Sequence, residues 1–258
     1  MRAIKKNYED IFIIILIVFF TVGLIFHIIP ATYKYVLFIT DISMLVTNSV
    51  VMYFILRAQA DKKLFFWSIL TFLLTYITEL AGIKTGAIFG NYEYGETMLI
   101  QVLNVPVVIA MNWVILIIGS YSIVQRANLK TMFIPVISSI IVVGFDFVME
   151  EVAMKLDYWQ WENNIVPLQN YFAWFIISLF FTSMLAVLKL RIENRIVQIY
   201  FLIQLLFFIG LVASHSELSA IPFTSGAQTI TGAILSVTVI ICVLVVLFKH
   251  SSATVHLL

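Results

Sequence analysis

Residues 145–174 read FDFVMEEVAMKLDYWQWENNIVPLQNYFAW. A long apolar run ends here in Asp146, Glu150 and Glu151, a short aromatic turn follows, and a second apolar run opens at Tyr171. Runs of about 20 apolar residues suffice to cross the hydrocarbon core as helices. The segment therefore predicts two membrane helices joined at an acid-rich end. Charge inside or beside a spanning helix is costly, and its default meaning is functional. Asp146 and Glu150 are four apart and share one helical face. Two carboxylates that close do not both ionise in a dry site, so at least one is expected to hold a proton at neutral pH. A buried acid that keeps its proton is a donor awaiting a weak base.

The composition around this segment agrees. Of 258 residues, 62% are hydrophobic and only 11% charged, against about 25% charged in a soluble domain. The mean hydropathy is +1.05. The chain is read as an all-α, polytopic membrane protein, a single helical domain over residues 1–258. Eight spans are expected, at 11–29, 35–56, 64–83, 105–124, 132–152, 171–188, 196–213 and 227–248. The first follows a basic N-terminal region in the manner of a signal sequence. It meets His27 and Pro30 rather than a small-residue cleavage site, so it is expected to stay as a helix. A net charge of +1 without a basic cluster offers nothing to nucleic acid. The single Cys242 lies in an apolar run and builds no disulfide framework.

Basic residues set the orientation. Arg2, Lys5, Lys6, Arg57, Lys62, Lys63, Arg126, Lys130, Lys189, Arg191, Arg195 and Lys249 fall on one side; Lys34, Lys84 and Lys155 fall on the other. An even number of spans with both termini cytoplasmic, in the cell membrane, follows. The acids divide the other way. Glu9, Asp10, Asp61 and Glu193 are cytoplasmic, and the remaining ten of 14, Asp41 and Glu79 among them, lie in outer loops or nearby helix ends. Topology rules are largely indifferent to Asp and Glu, so this bias places acid chemistry in the outer half of the membrane. The long outer connection, residues 84–104, is glycine-rich and is expected to dip into the protein, where irregular backbone must be covered or line a cavity.

Each constellation has a plainer alternative. Glu79 either faces the same cavity as Asp146, or pairs with Lys84 or caps a neighbouring helix. Asp146 and Glu150 either act as acids or form a structural network with Asn112, Asn170 and the tyrosines, since buried polar groups need partners. Glu151 is expected to face headgroups or Lys155. Tyr92, Tyr94, Tyr158, Trp159, Trp161, Tyr171 and Trp174 gather on the outer side. They form either an interfacial belt or an electron-rich pocket whose faces stabilise a cation by about 0.5–2 kcal/mol each. His215 reads as a solvated loop residue. No HExxH, CxxC, Walker loop or GxGxxG occurs, and no metal or cofactor is expected.

Three blocks carry a resemblance: TELAGIKTGAIFGNYEYGE from Thr78, VPVVIAMNW from Val105, and the segment from Asp146. They resemble the E-x-x-G-x-x-T-G-x-x-F-G-x-Y-x-Y, V-P-x6-W and D-x-x-x-[DE]-P…W-x-W…P-x-x-N-Y…W patterns of the integral-membrane carotenoid-biosynthesis proteins. That family includes the carotenoid 1,2-hydratases and bisanhydrobacterioruberin hydratases. Glu151 stands where the family usually has Pro. The resemblance implies addition of water across carbons 1 and 2 of an acyclic carotenoid end, with no redox cofactor or ATP. Lycopene, γ-carotene or a related carotenoid would arrive from the bilayer, and other carotenoid enzymes are candidate neighbours. Asp146, Glu79 and Glu150 would be the catalytic acids. Tyr92, Tyr94, Asn112, Trp113, Trp159, Trp161, Asn170, Tyr171 and Trp174 would line the substrate. Three rivals stand beside it: an end-group cyclase, which also starts by protonating an alkene; a magnesium-dependent prenyltransferase, which would need a second Asp-rich motif; and a proton-coupled transporter, for which no inverted repeat is visible.

Overall fold

A computed structural model describes residues 2–127 and 129–214, with side chains from residue 8 onward. The eighth expected span, 227–248, lies outside the described residues, as do His215, Glu217 and Cys242. Among the described residues there are seven helices: α1 (Arg2–Ile28), α2 (Pro30–Gln59), α3 (Lys62–Thr85), α4 (Val107–Gln125), α5 (Phe133–Lys155), α6 (Leu168–Val187) and α7 (Arg195–Ser214). All seven are long and apolar enough to cross a membrane, and the chain is a polytopic, mainly helical membrane protein. Most boundaries fall within about three residues of those expected from hydropathy. The exceptions are two starts: α1 begins at Arg2 rather than near residue 11, and α2 begins at Pro30 rather than near residue 35. Proline suits the first helical turn, where its missing N–H has no partner to lose and its φ is already helical. What read as a loop after the first span is thus the first turn of α2, with Ile29 alone between the helices.

The bundle is arranged around α4. About 89% of its spanning window is buried, against 22% for that of α1, and α4 contacts α2, α3, α5, α6 and α7. Lipid is as apolar as leucine, so burial of apolar area does not hold such helices together; close packing and interhelical hydrogen bonds do. Both occur here. Gly119 of α4 lets the Phe201 ring of α7 approach so closely that a Cβ would lie 2.9 Å from it. Trp67 of α3 donates to the Phe181 carbonyl of α6 at 3.2 Å. Tyr200 and Gln204 of α7 donate to Asn48 of α2 at 2.8 and 3.1 Å, and Asn48 donates in turn to Asn112 of α4.

Loops divide between the two ends of the bundle as the basic residues do. Arg195 pairs with Asp10, and Gln59 donates to the Arg191 carbonyl at 2.7 Å, so the start of α1 and the α2–α3 and α6–α7 connections share one end. At the other end lie four short strands: β1 (Tyr92–Tyr94), β2 (Gln101–Val102), β3 (Val105–Pro106) and β4 (Trp159–Trp161). β2 and β3 form a tight hairpin; β1 and β4 pair antiparallel, Tyr92 opposite Trp161 and Tyr94 opposite Trp159. The aromatic turn read from the sequence is therefore half of a two-stranded ribbon joining the two long connections at this end. Residue 84–104 backbone does fold back into the protein: Phe89, Thr97 and Met98 are buried. Its anchor is Asp41, a buried α2 carboxylate that accepts the N–H groups of Leu99 and Ile100 at 2.8 and 3.2 Å.

Candidate active site

Side chains alternate faces along a strand, so the Y-x-Y of β1 and the W-x-W of β4 each present both rings to one side. Glu93 and Gln160 pair on the opposite face. The four rings meet in contact, Tyr92 with Trp161 at 4.8 Å between centroids and Tyr94 with Trp159 at 6.1 Å. They close over the ends of α3 and α5, where the acids stand. Glycine makes this closure possible at two points. Gly86 ends α3 in the left-handed region (φ +63°), and at Gly82 a Cβ would lie 2.6 Å from the Phe89 ring.

Glu79 of α3 is 3% exposed and fully engaged. Its Oε2 accepts from the hydroxyls of Tyr92 (2.7 Å) and Tyr94 (2.9 Å), and its Oε1 from Nε1 of Trp113 (2.8 Å). It neither pairs with Lys84 nor caps a helix. Burial pushes the pKa of both tyrosines up, and the adjacent Glu79 raises them further, so they remain donors. Trp113 is held by a stacked ring, Trp174 of α6, with centroids 3.7 Å apart.

Glu150 of α5, also 3% exposed, sits beneath the ribbon. Its Oε2 accepts from both ribbon indoles, Trp159 at 2.8 Å and Trp161 at 2.7 Å. Although it stands near the helix end, the indoles cover it. Asn170 of α6 spans the remaining acids: its Nδ2 donates to Glu150 Oε1 at 3.1 Å and to Asp146 Oδ2 at 3.0 Å. Asp146 is wholly buried, and its Oδ1 has no hydrogen-bond partner among the described residues. Glu151 points away and pairs with Lys155 at 2.9 Å, as expected.

Between these groups lies a cavity of about 20 Å³, lined by Glu79, Glu150, Asn170, Tyr92, Tyr94, Trp159, Trp161 and Trp174, with Phe89, Ile109 and Met149 completing it. One water needs about 10–15 Å³ measured this way. Asp146 does not line the cavity; it stands one helical turn further along α5, behind Asn170. Two expected lining residues lie elsewhere. Asn112 faces Asn48 in the α2–α4–α7 network. Tyr171 stacks on Phe147 at 5.3 Å and lines an apolar groove between α5 and α6 with Phe172 and Phe175. Sequence reasoning missed Phe89, Ile109, Met149 and Asn48, and named Asp41 only as one of the outer acids. Only the last two left a signal, a polar residue within an apolar run.

A family model described as carotenoid biosynthesis protein matches residues 39–239, far more than half of the 258. The chain belongs to the carotenoid biosynthesis protein family. No curated protein and no solved structure matches it. Membership makes the chain part of carotenoid biosynthesis, and its acids, indoles and tyrosines fall within the matched region. For a carotenoid biosynthesis protein this arrangement is chemically apt. Two carboxylates and several π faces converge on a water-sized space in a site closed to bulk solvent, where charge stabilisation is stronger than in water.

Proposed function

We propose that the protein is a carotenoid hydratase that adds water to the terminal C1=C2 bond of an acyclic end group. The reading is carried by how the site's hydrogen bonds are shared. Of the six carboxylate oxygens of Glu79, Glu150 and Asp146, five accept N–H or O–H groups and one, Asp146 Oδ1, accepts none among the described residues. Donors aimed at a carboxylate favour its charged form; a buried oxygen without one is best accommodated by carrying the proton. Asp146 is therefore the acid, and Glu79 and Glu150 are the carboxylates that face a cation.

In this mechanism the Asp146 proton passes to carbon 2 as the π bond breaks, leaving a tertiary cation at carbon 1. The Trp174, Trp159 and Trp161 faces and the two carboxylates stabilise that charge. The cavity water adds to carbon 1 and gives a proton to Glu150. A second water relays that proton to Asp146. Alkene plus one water gives one tertiary alcohol, and the acid is regenerated. The end group is far larger than one water, so its entry opens the cavity past Asn170, on the side where Asp146 stands. Polar space for water beside the cation favours hydration over cyclisation, which requires a dry pocket. The substrate enters from the bilayer, residues 1–258 act as one membrane domain, and both termini are cytoplasmic with the ribbon outside.

Expression in a bacterium that makes lycopene or γ-carotene, followed by mass analysis of the pigments, tests this. A gain of one water per reacting end is expected. A rearranged pigment of unchanged mass would point to cyclisation instead, and unaltered pigment would refute both.

A further inference from the structure

At the end of the bundle opposite the carboxylates, the α4–α5 and α6–α7 connections enclose a second cavity of about 1150 Å³. Four cationic side chains line it, Arg126, Lys189, Arg191 and Arg195, against one carboxylate, Glu193. Basic loops at one end of a membrane protein follow from topology alone. Their convergence on a deep cavity does not. The walls between the charges are apolar, formed by Leu129, Ile134 and Leu190. The cationic groups are also unevenly committed. Arg126 is oriented by Gln198, to which it donates at 2.8 Å, and Arg195 is paired with Asp10. Arg191 reaches Glu193 only at 3.8 Å with both side chains largely exposed, an arrangement of little strength. Lys189 is held in the left-handed region (φ +55°) directly after α6, and its side chain has no carboxylate partner among the described residues.

We propose that this cavity binds the phosphate of an anionic phospholipid, with Lys189 and Arg191 as its principal contacts and Arg126 behind them. Basic pockets between membrane helices on the cytoplasmic side suit such headgroups. The volume exceeds the roughly 300–1,000 Å³ of an ordinary small-molecule pocket. It therefore holds a headgroup with its glycerol, whose ester carbons the apolar walls can cover, rather than a lone phosphate. The lipid would hold the α4–α5 and α6–α7 connections together at the end away from the chemistry.

The test uses the full chain purified in detergent and titrated with dioleoyl phosphatidylglycerol, dioleoyl phosphatidylcholine or glycerol phosphate, with bound lipid counted by native mass spectrometry. Saturable binding of phosphatidylglycerol alone is expected. Removing a basic contact weakens attachment to anionic lipid by roughly fivefold, so Lys189→Gln with Arg191→Gln should weaken it by roughly thirtyfold. Both side chains are exposed, and an unchanged melting temperature checks the fold. Lys62→Gln with Lys63→Gln, at the same end but outside the cavity, should leave binding unaltered. An equal loss in this control would mean diffuse attraction to the loops and overturn the proposal. So would equal binding of phosphatidylcholine, or displacement of lipid by glycerol phosphate, which would assign the cavity to a soluble phosphate ester.

Discussion

Replacing Asp146 by Asn takes away a proton and leaves the shape of the site in place. Among the described residues Asp146 accepts one hydrogen bond, from Asn170 at 3.0 Å, and its other oxygen has no partner. Asn can keep that bond through its carbonyl and set its NH₂ where the acid's O–H stands, which adds one unpartnered N–H to a position already without an acceptor among the described residues; the cost should be about 1 kcal/mol, the low end for such a donor. General acid catalysis typically contributes about 10²–10⁴-fold, and Asp146→Asn should lose hydration by that factor at near-normal abundance. Glu150→Gln behaves differently. Its two oxygens accept three donors, Trp159, Trp161 and Asn170. A Gln amide facing the indoles sets N–H against N–H. Facing Asn170, it forces that side chain to turn over and release Asp146 as well. Either outcome leaves a buried donor unpaired and costs about 1–3 kcal/mol. Both variants should lose product, and Glu150→Gln should lose the more protein. The assay is the ratio of hydrated to parent pigment in membranes normalised to protein, together with the melting temperature in detergent. Near wild-type hydration by Asp146→Asn would refute the assignment of the acid, whatever the other carboxylates do.

Glu79→Gln can keep the Trp113 N–H on its carbonyl and turn its NH₂ to Tyr92 and Tyr94, whose hydroxyls accept as well as donate, so it should slow hydration with a smaller fall in melting temperature than Glu150→Gln; an equal or larger fall would mean the hydroxyls cannot turn to accept. Trp174→Leu removes a π face and the ring that steadies Trp113, and should cut turnover by roughly 3–30-fold, from about 0.5–2 kcal/mol of lost cation stabilisation; an unchanged rate would take Trp174 out of the site. Asp41→Asn sets its NH₂ either against the Leu99 and Ile100 amides, which share Oδ2, or against the Ile42 N–H on Oδ1, and should speed proteolysis within residues 96–104 without touching the acids. In a Cys242→Ser background, cysteines at Asn91 and Glu162 should react with impermeant reagents from outside the cell, and labelling only from the cytoplasm would invert the topology.

Seven helices were legible because bilayer thickness fixes the length of an apolar run. The acids were legible because a carboxylate within such a run has few explanations. Even the ribbon left a trace, since Y-x-Y and W-x-W repeat at the strand period of two. The partners of each acid were not legible. A helix buried on every side, as α4 is, carries no apolar stripe to say which face looks where. Asn112 and Trp113 are neighbours in sequence, yet one joins Asn48 between helices and the other reaches Glu79. The same holds for the aromatic residues. A belt at the membrane surface and a cover over Glu150 have the same composition, and only the pairing of β1 with β4, 67 residues apart from Tyr92 to Trp159, turned Trp159 and Trp161 inward. Sequence alone determined the membrane class, the number of described spans and the presence of buried acids, because hydrocarbon constrains each of these residue by residue. The tertiary structure decided which donors each acid meets among the described residues, because hydrogen bonds between distant segments depend on where the chain returns.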